Sequence, residues 1–414
     1  MTQPVLGILT LYLNDAGSLE ERRYYERMTT EGRKLGLHVF VFTPQDVSLS
    51  GDRIRGLFYH PGTGRWTRRW TGFPTLVFDR CRIQHSHRYD QLLKFRSRYD
   101  GLTYLNKPLR NKWQIHNLLS KDSRFGAYLP KTRYINSLND VREMLRSHPL
   151  LYLKPINGTG GRGILRVERL KDGSLTVQGR DKNRRIVSPQ RMSSDKLGSY
   201  LSKWNLKEVR YIAQQGLQLK LPSGCVHDYR LLVQKDGEGK WTVTGCAGRI
   251  GAPGSITANL HGGGRAAKMD GLLEQWITDA AKREAVKREV AEFGVGIASY
   301  LELVCGALCE LAIDLAIDKS GRIWLIEVNP KPAREVFFRA GETEVYRQAI
   351  VKPLEYALWR FKQKKRKTAS AAAAREAGDE ADSSPVTPDP PHVDELPLLP
   401  EKPGKSAKKK RRRL

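Results

Sequence analysis

The first hundred residues alternate between short apolar runs and longer amphipathic stretches. The apolar runs that predict β-strands are 5–13, 38–42 and 76–78. Charged and apolar positions between 18 and 35 predict an amphipathic helix, and Gly36 is a typical helix stop. A second helix is expected around 91–93. Strands that alternate with helices indicate a small α/β domain with a parallel sheet, which we place at residues 1–110.

Two further blocks follow this domain. Residues 111–213 contain a helix that begins near Asn111, an apolar strand and a glycine-rich loop. Residues 214–360 contain several strands, a long charged helix over 272–303, a hairpin and a closing helix. We therefore predict three ordered blocks of mixed α and β structure.

The glycine-rich loop joins a strand at 150–154 to another at 164–167. Lys154 places a cation at the end of the first strand, beside glycines that let backbone N–H groups approach phosphate oxygens. The loop differs from a Walker loop because its lysine precedes the glycines, and from a Rossmann loop because no helix follows. Taken alone, such a loop is more often a plain flexible turn. Its glycines are Gly158, Gly160, Gly161 and Gly163.

An acidic hairpin lies near the end of the third block. Two apolar strands, 311–317 and 322–328, are joined by a tight turn, and antiparallel pairing puts Asp314 almost opposite Glu327. Strand alternation places Glu327 and Asn329 on one face, where hard oxygen ligands suit Mg²⁺. The alternative is a solvated sheet face with cross-strand polar pairs. Apolar neighbours on both strands argue for burial, and a buried carboxylate pair without a cation would repel.

Arginines on two intervening strands extend this polar set. Arg230 lies near the start of one strand and Arg249 at the end of the next. Guanidinium groups suit phosphoryl and carboxylate oxygens because each contacts two oxygens at once. Asn259 precedes a run of three glycines. Upstream, a short strand at 211–217 runs into a turn whose backbone groups suit an adenine edge.

Taken in order, these motifs resemble the ATP-grasp superfamily. The order is lysine, lysine with a glycine-rich loop, hinge, Asp-x-Arg, Arg, Asn-Leu-x-x-Gly-Gly, Asp and Glu-Val-Asn. The stretch 214–264 is similar to ribosomal-protein glutamate ligases. Over nearly the whole chain except the tail, the sequence resembles the YheC/YheD group, which is described as endospore coat-associated. The supporting segments are Leu-Gly-Ile-Leu-Thr at 6–10, Asn-Lys-Trp at 111–113 and Asp-Leu-Ala-Ile-Asp-Lys-Ser-Gly at 314–321.

The resemblance implies an ATP-grasp fold of two α+β subdomains, at 111–213 and 214–360, behind a small Rossmann-like pre-ATP-grasp domain. The implied ATP contacts are Lys112, Lys154, Gly158, Gly160, Gly161, Gly163, Gln214, Gln215, Gly216 and Leu217. The implied ligands of Mg²⁺, or of Mn²⁺, are Asp314, Glu327 and Asn329. The implied phosphoryl, acyl-phosphate or substrate contacts are Arg230, Arg249 and Asn259.

The chemistry that the resemblance implies is ATP-dependent ligation of a carboxylate to an amine through an acyl phosphate. Such a reaction rests on positioning and charge neutralisation and needs no side-chain nucleophile. One departure concerns the substrate side. Many relatives follow Glu-x-Asn with a small residue, Pro and Gly, whereas this chain has Pro-Lys-Pro-Ala-Arg at 330–334. The identities of the acid and the amine therefore stay open.

Charge adds a preference for anionic partners. The chain has 72 Lys and Arg against 44 Asp and Glu, a net charge of +28, and residues 361–414 hold 14 basic and 8 acidic side chains. Most of the excess thus lies on the body, which suits a phosphate-bearing ligand. The low-complexity segment 361–414 predicts a disordered basic tail for spore-coat proteins or a polyanion, with solubility or spacer duty as the alternative. The Arg- and Trp-rich run at 62–70 fits a solvated turn better than a base-stacking surface.

The remaining composition bears on location and function class. No apolar run approaches the roughly 20 residues of a membrane helix, and the start fits a strand better than a signal peptide. Five scattered cysteines indicate reduced thiols. We expect a cytoplasmic protein, spore-coat associated in a sporulating bacterium if the resemblance holds. Three functions are weighed: a ligase, a structural coat protein that binds nucleotide without turnover, and a nucleic-acid binder.

Overall fold

The computed structural model describes residues 3–82, 86–158, 160–204, 206 and 208–381, without the side chains of 261 and 371–381. The described residues up to Lys364 form one compact unit, and the described residues from Lys365 on belong to a second. Among the described helices, none combines the length and apolar character that a bilayer crossing requires. The described part of the chain contains three β-sheets with helices packed on them.

The first sheet occupies the N-terminal part of the chain. Its strands and helices are β1 (Val5–Leu9), α1 (Arg22–Lys34), β2 (His38–Phe42), β3 (Ile54–His60), β4 (Arg65–Thr71), β5 (Leu76–Asp79) and α2 (His87–Arg98). The strand order is β4-β3-β2-β1-β5. β1 pairs in parallel with β2 and β5, whereas β3 and β4 pair antiparallel at one edge. The sheet predicted as parallel is therefore mixed, because a hairpin extends it.

The Arg- and Trp-rich run lies mostly in β4. A solvated turn is the wrong prediction here, since Arg65–Thr71 pairs with β3 along its whole length. The Trp66 ring nitrogen donates to Glu26 at 2.9 Å, which ties the strand to α1. Trp70 is 53% exposed, and the arginines of this strand face solvent as expected.

The second sheet is antiparallel and six-stranded. Its elements are α3 (Lys112–Ser120), α4 (Ser123–Gly126), β6 (Thr132–Tyr134), α5 (Leu138–Ser147), β7 (Leu150–Pro155), β8 (Ile164–Arg169), β9 (Leu175–Arg180), β10 (Ile186–Met192), α6 (Leu197–Ser202) and β11 (Tyr211–Gln215). The order is β10-β9-β8-β7-β11-β6. Helices α5 and α6 cover one face with an apolar core that includes Val141, Leu145 and Leu197.

The third sheet carries the acidic hairpin. Its elements are β12 (His227–Lys235), β13 (Trp241–Ile250), β14 (Arg265–Lys268), α7 (Met269–Glu274), α8 (Ala280–Cys305), β15 (Glu310–Ile317), β16 (Ile323–Asn329), α9 (Glu335–Arg339) and α10 (Thr343–Ala381). The order is β14-β13-β12-β15-β16. The β15–β16 register pairs Asp314 with Glu327, as the hairpin prediction requires.

Two predicted elements differ from the structure. The single helix expected over 272–303 is interrupted at 275–279, where Asp279 caps a new helix by accepting from the backbone N–H of Lys282 at 3.2 Å. The change in composition at 361 does not end the last helix, which continues to Ala381. The rest of the predicted tail, 382–414, lies outside the described residues.

Apolar packing joins the first and third sheets. One buried cluster contains Leu6 and Val41 from the first sheet, Leu232 from the third, and Phe337 and Leu354 from α9 and α10. A separate cluster packs α7 and α8 against the other face of the third sheet. The third sheet is thereby buried on both faces, which holds the strands of the acidic hairpin rigidly.

Candidate functional site

A cleft lies between the second and third sheets, with about 910 Å³ of empty space when its opening to solvent is included. Its walls include the predicted residues Lys112, Lys154, Gly158, Gly160, Gly161, Gln214, Gln215, Leu217, Arg249, Asn259, Asp314 and Glu327. Four predicted residues are not on the cleft wall, namely Gly163, Gly216, Arg230 and Asn329.

Part of the cleft lining is apolar. Its side chains include Pro130, Tyr152, Ile164, Leu217, Leu219 and Ile326. Apolar walls with a few polar groups suit a heteroaromatic base. The charged end of the cleft, which contains the lysines and carboxylates, adjoins this lining, since the Lys154 ammonium lies 5.9 Å from the centre of the Tyr152 ring.

Two lysines reach the charged end from different elements. Lys112 is the first residue of α3, whose N-cap Asn111 accepts from the backbone N–H of Gln114 at 3.0 Å. The Lys112 ammonium donates to the Gly158 carbonyl and lies 3.1 Å from a Glu327 carboxylate oxygen. It thus links the glycine-rich loop to the acidic hairpin.

Lys154 lies at the end of β7 and is more deeply set. Its ammonium donates to the side-chain carbonyl of Gln214 at 2.5 Å. Burial lowers the pKa of Lys154 to about 8; Glu327 and Asp314 oppose this change, and Lys112 adds to it. An anion that binds beside a buried ammonium stabilises the charged form and raises the lowered pKa.

The glycine-rich loop bends back over the cleft. Gly160 and Gly161 have φ of +63° and +78°, a conformation that favours glycine. A Cβ on Gly161 would lie 2.7 Å from the side-chain nitrogen of Asn259, so the loop and the Asn259 segment are in close contact. The loop therefore bridges the second and third sheets at the cleft mouth.

The predicted hinge is the end of β11 and the residues after it. The Gln215 N–H donates to the Lys131 carbonyl and the Gly216 N–H to the Leu150 carbonyl, both at 2.7 Å. Gly216 lies outside the cleft because its backbone is pressed on Leu150, where a Cβ would meet Cγ at 2.2 Å. Gln214, Gln215 and Leu217 are the parts of this hinge that line the cavity.

The two predicted arginines already bind carboxylates. Arg230 makes a bidentate pair with Asp314, with both bonds at 3.0 Å. Arg249 makes a bidentate pair with Asp228 at 2.6 and 2.7 Å and lies 3.1 Å from Asp314. The cause is the strand register, which pairs Asp228 with Arg249 and Arg230 with Asp314. Both arginines thus position a carboxylate at the cleft.

The titration of the two aspartates follows from these pairs. Burial opposes the ionisation of Asp314, but the guanidinium groups of Arg230 and Arg249 outweigh it and hold its pKa below the ordinary value. Burial raises the pKa of Asp228, while Arg249 works in the opposite direction. Asp314 is therefore a charged oxygen donor at neutral pH.

The oxygen donors fit a magnesium ion that is shared with phosphates. Glu327 lies on the cleft wall, and the Asn329 amide donates to Asp314 at 3.3 Å, which places its carbonyl in the same cluster. Within the described chain, no group of three or more His, Cys, Asp or Glu side chains converges on one point. Mg²⁺ typically binds through one or two carboxylates and completes its shell with phosphates and water. The donor set matches that description.

Sequence reasoning missed several cleft residues. Asp228 was visible only as part of an Asp-x-Arg motif, and its partner Arg249 becomes evident once β12 and β13 are aligned. Arg162 and Thr257 line the cleft from segments with no signal beyond a neighbouring glycine or asparagine. The apolar wall side chain of Tyr152 was interpreted only as part of a strand.

A cleft between two antiparallel sheets, closed by a glycine-rich loop opposite an acidic hairpin, is the architecture of an ATP-grasp protein. The sequence profile of the YheC/D-like ATP-grasp family matches residues 101–359, and the chain belongs to this family. The predicted resemblance and fold class are confirmed. The ATP-grasp fold is one that generally binds ATP and Mg²⁺.

Three known proteins illustrate the relationship. The endospore coat-associated protein YheC of Bacillus subtilis (strain 168) is 26% identical over 87% of this chain and 98% of its own length. The endospore coat-associated protein YheD of the same organism is 27% identical over 86% of this chain and 78% of its own length. The VanG D-Ala:D-Ser ligase from Enterococcus faecalis aligns with a TM-score of 0.51 at 12% identity, covering 86% of this chain and all of that one. This last likeness shows the fold alone.

Proposed function

We propose that this chain binds Mg·ATP in the cleft and joins a carboxylate to an amine. The observation that supports it most is the meeting of three side chains in one cavity, namely Lys112 from α3, Lys154 from the second sheet and Glu327 from the third. Membership of an ATP-grasp family supports the nucleotide. In this proposal Gln214 and Leu217 contact the base end.

The reaction has two displacement steps. A carboxylate oxygen of the acid attacks the γ-phosphorus, the bond to the β–γ bridging oxygen breaks, and ADP leaves. The amine nitrogen then attacks the acyl carbon, phosphate leaves, and the amine proton passes to solvent. Lys112 and Lys154 neutralise phosphate charge, and the N–H groups of the glycine-rich loop bind phosphate oxygens.

In this proposal the acidic hairpin binds the metal ion. Glu327 and Asn329 would hold Mg²⁺ or Mn²⁺, with Asp314 as the third donor. When bound, the ion neutralises phosphate charge. Arg230 and Arg249 act in this proposal as positioning residues, because they fix Asp314 in its ionised form. Asn259 contacts the phosphoryl or substrate side through its place beside the glycine-rich loop.

The names of the relatives support a role for this chain in the formation of the spore coat. YheC and YheD are described as endospore coat-associated. We extend this to the present chain as a proposal: a cytoplasmic ligase that acts on spore-coat material in a sporulating cell.

The function is tested by ADP release over a panel of carboxylates and amines. We expect release that depends on both substrates and falls at least about 100-fold in Glu327→Gln, because a metal ligand is lost. The matched control is Glu284→Gln, on the exposed surface of α8, which should keep wild-type turnover. Substrate-dependent release that Glu327→Gln leaves unchanged contradicts the proposal.

A second candidate is a coat-associated protein that binds nucleotide without turnover. It is favoured by the bidentate pairs of Arg230 and Arg249, because two nitrogens of each guanidinium already bind aspartates. This candidate predicts that Mg·ATP raises the melting temperature, while no acid and amine pair yields ADP. Spore coats assembled with Glu327→Gln would then be normal.

A further inference from the structure

Three arginines beside the glycine-rich loop have no part in the site described above. Arg162 belongs to the loop and lines the cleft. Arg180 ends β9, and Arg184 lies in the turn that follows it. Arg180 and Arg184 lie against the glycine-rich loop that contains Arg162, and Arg180 also reaches the segment that carries Asn259.

Arg180 is a buried cation without an acidic partner among the described residues. It is only 3% exposed. Its Nε and Nη2 donate to the Arg184 carbonyl at 3.3 and 3.0 Å, and its Nη1 donates to the Thr257 hydroxyl at 3.4 Å. Buried charges in proteins are normally paired, so a neutral set of acceptors leaves this guanidinium uncompensated.

Arg184 has a left-handed backbone conformation, which residues other than glycine rarely adopt. Its φ is +68°, and among described residues it is the one non-glycine with positive φ. Its Nε is buried without a hydrogen-bond partner in the described part of the chain. Its Nη2 lies 2.9 Å from where a Cβ on Gly160 would be, so the side chain rests on the glycine-rich loop. A strained residue with an unused donor is typical of a binding site.

Glycine backbones make room for these guanidinium groups. A Cβ on Gly262 would lie 2.2 Å from Nη1 of Arg180, and a Cβ on Gly161 would lie 3.9 Å from the same atom. Arg180 therefore occupies the space between the glycine-rich loop and the segment 257–262. The lysines that face the phosphates come instead from α3 and β7.

The cluster repels itself in the absence of an anion. Burial lowers the pKa of Arg184, Arg162 and Arg180 lower it further, and Glu20 opposes them. An oxyanion among the three would satisfy the free donors and remove the repulsion. Guanidinium groups suit carboxylate and phosphate in this role because they offer two parallel N–H bonds.

We propose that Arg162, Arg180 and Arg184 bind a second oxyanion of the acid substrate, distinct from the carboxylate that is ligated. The inference rests on the proposed ligase function and narrows its substrate to an acid with two or more negative groups. The second group is a carboxylate or a phosphate. Arg230 and Arg249 do not serve this role, because aspartates already bind them.

The test measures binding of two probes to protein saturated with Mg²⁺ and a non-hydrolysable ATP analogue. Tricarballylate represents a polycarboxylate and inorganic phosphate a phosphate, and calorimetry at constant ionic strength gives each affinity. The probe that binds wild type more tightly, called the better probe, shows whether the second oxyanion is a carboxylate or a phosphate. We expect this probe to bind at least about tenfold more weakly to Arg180→Gln and to Arg184→Gly. The affinity for the ATP analogue itself should stay unchanged.

Arg184→Gly separates a binding role from a structural one. Glycine adopts positive φ freely, so this variant should melt no lower than wild type while it loses the probe. It also keeps the test decisive if Arg180→Gln fails to fold. The control is Arg191→Gln, an equal charge change on β10, where Arg191 binds Asp172 and donates to Ser174 at 2.9 Å. That variant should bind the probe as wild type does.

Three results would overturn the proposal: neither probe binds wild type, Arg184→Gly binds the better probe unchanged, or the arginine variants weaken the ATP analogue. The last result would assign the arginines to the nucleotide phosphates. The readout is binding without turnover, so a failure of the ligase assay is a separate outcome.

Discussion

Charged side chains in the cleft bind one another before a ligand arrives. Lys112 pairs with Glu327, and Arg230 and Arg249 pair with Asp314. In the proposed function, a nucleotide with its metal would break the pair of Lys112 and Glu327, because phosphates would attract the lysine and the metal would attract the carboxylate. The arginine pairs can persist, since each fixes a carboxylate that already has the required charge.

We expect Lys154 to make nucleotide binding depend on pH. Its pKa of about 8 in the folded protein lies below the value of 10.5 for a free lysine, so the unfolded chain binds more protons between these values, and stability rises with pH there. Phosphates would raise this pKa. We expect ATP binding at about pH 8.5 to take up most of one proton and to weaken above that pH.

Calorimetry in buffers of different ionisation enthalpy measures this uptake. Lys154→Met should bind ATP more weakly and without the proton. Equal proton uptake by the variant and the wild type would assign it to another group. His227, whose pKa burial lowers, lines the same cleft and is the alternative source.

Residue types were predictable at this scale, but partners were not. Two lysines, a glycine-rich loop and a Glu-Val-Asn motif indicate phosphate and metal chemistry from sequence. The pairing of Arg230 with Asp314 joins residues 84 positions apart, and only the strand register brings them together. Sequence reasoning therefore assigned both arginines to a ligand when the structure binds them to aspartates.

Among the elements, the glycine-rich loop is the part that bridges two sheets. Its close approach to Asn259 depends on the absence of a side chain at Gly161. The predicted lid role depends on that approach, because the loop must place its N–H groups over the phosphates while it contacts the opposite wall.

Gly161→Ala should weaken nucleotide binding, whereas a matched glycine variant outside the cleft should lose stability only. The new Cβ meets Asn259, and alanine is strained at the left-handed φ of +78° that Gly161 adopts, so we expect KM for ATP to rise about tenfold. The control is Gly173→Ala, with φ of +81° in a turn where a Cβ meets nothing within 4 Å. Both variants should lose about 1 kcal/mol of stability, but only Gly161→Ala should change KM. Equal KM values would contradict the loop's role.

Elements with strong local signals were predicted well. The α3 helix starts near Asn111 as predicted, and the acidic hairpin has the expected register. The break before α8 is hard to predict because the apolar residues Trp276 and Ile277 continue the helical pattern up to the capping Asp279. The mixed first sheet was missed because Arg65–Thr71 has a polar pattern that does not mark an inner strand.

At the scale of the whole molecule, a buried ionic network connects the first sheet to the acidic end of the third. Arg80, at the end of β5, pairs with Glu310 at 2.6 Å and donates to the Pro332 carbonyl at 3.0 Å. Lys331 lies 3.1 Å from Asp79. The unusual segment after Asn329 is thereby attached to the N-terminal domain. These contacts span about 250 residues of sequence, so no local pattern could predict them.

We propose that the second and third sheets together bind one Mg·ATP, with the metal on the third sheet. Calorimetry of a non-hydrolysable ATP analogue, with Mg²⁺ and with chelator, tests this most directly. We predict that Mg²⁺ tightens binding to wild type and to Glu284→Gln by about tenfold or more, and that Glu327→Gln abolishes the tightening. An equal effect of Mg²⁺ on Glu327→Gln and wild type would contradict the account.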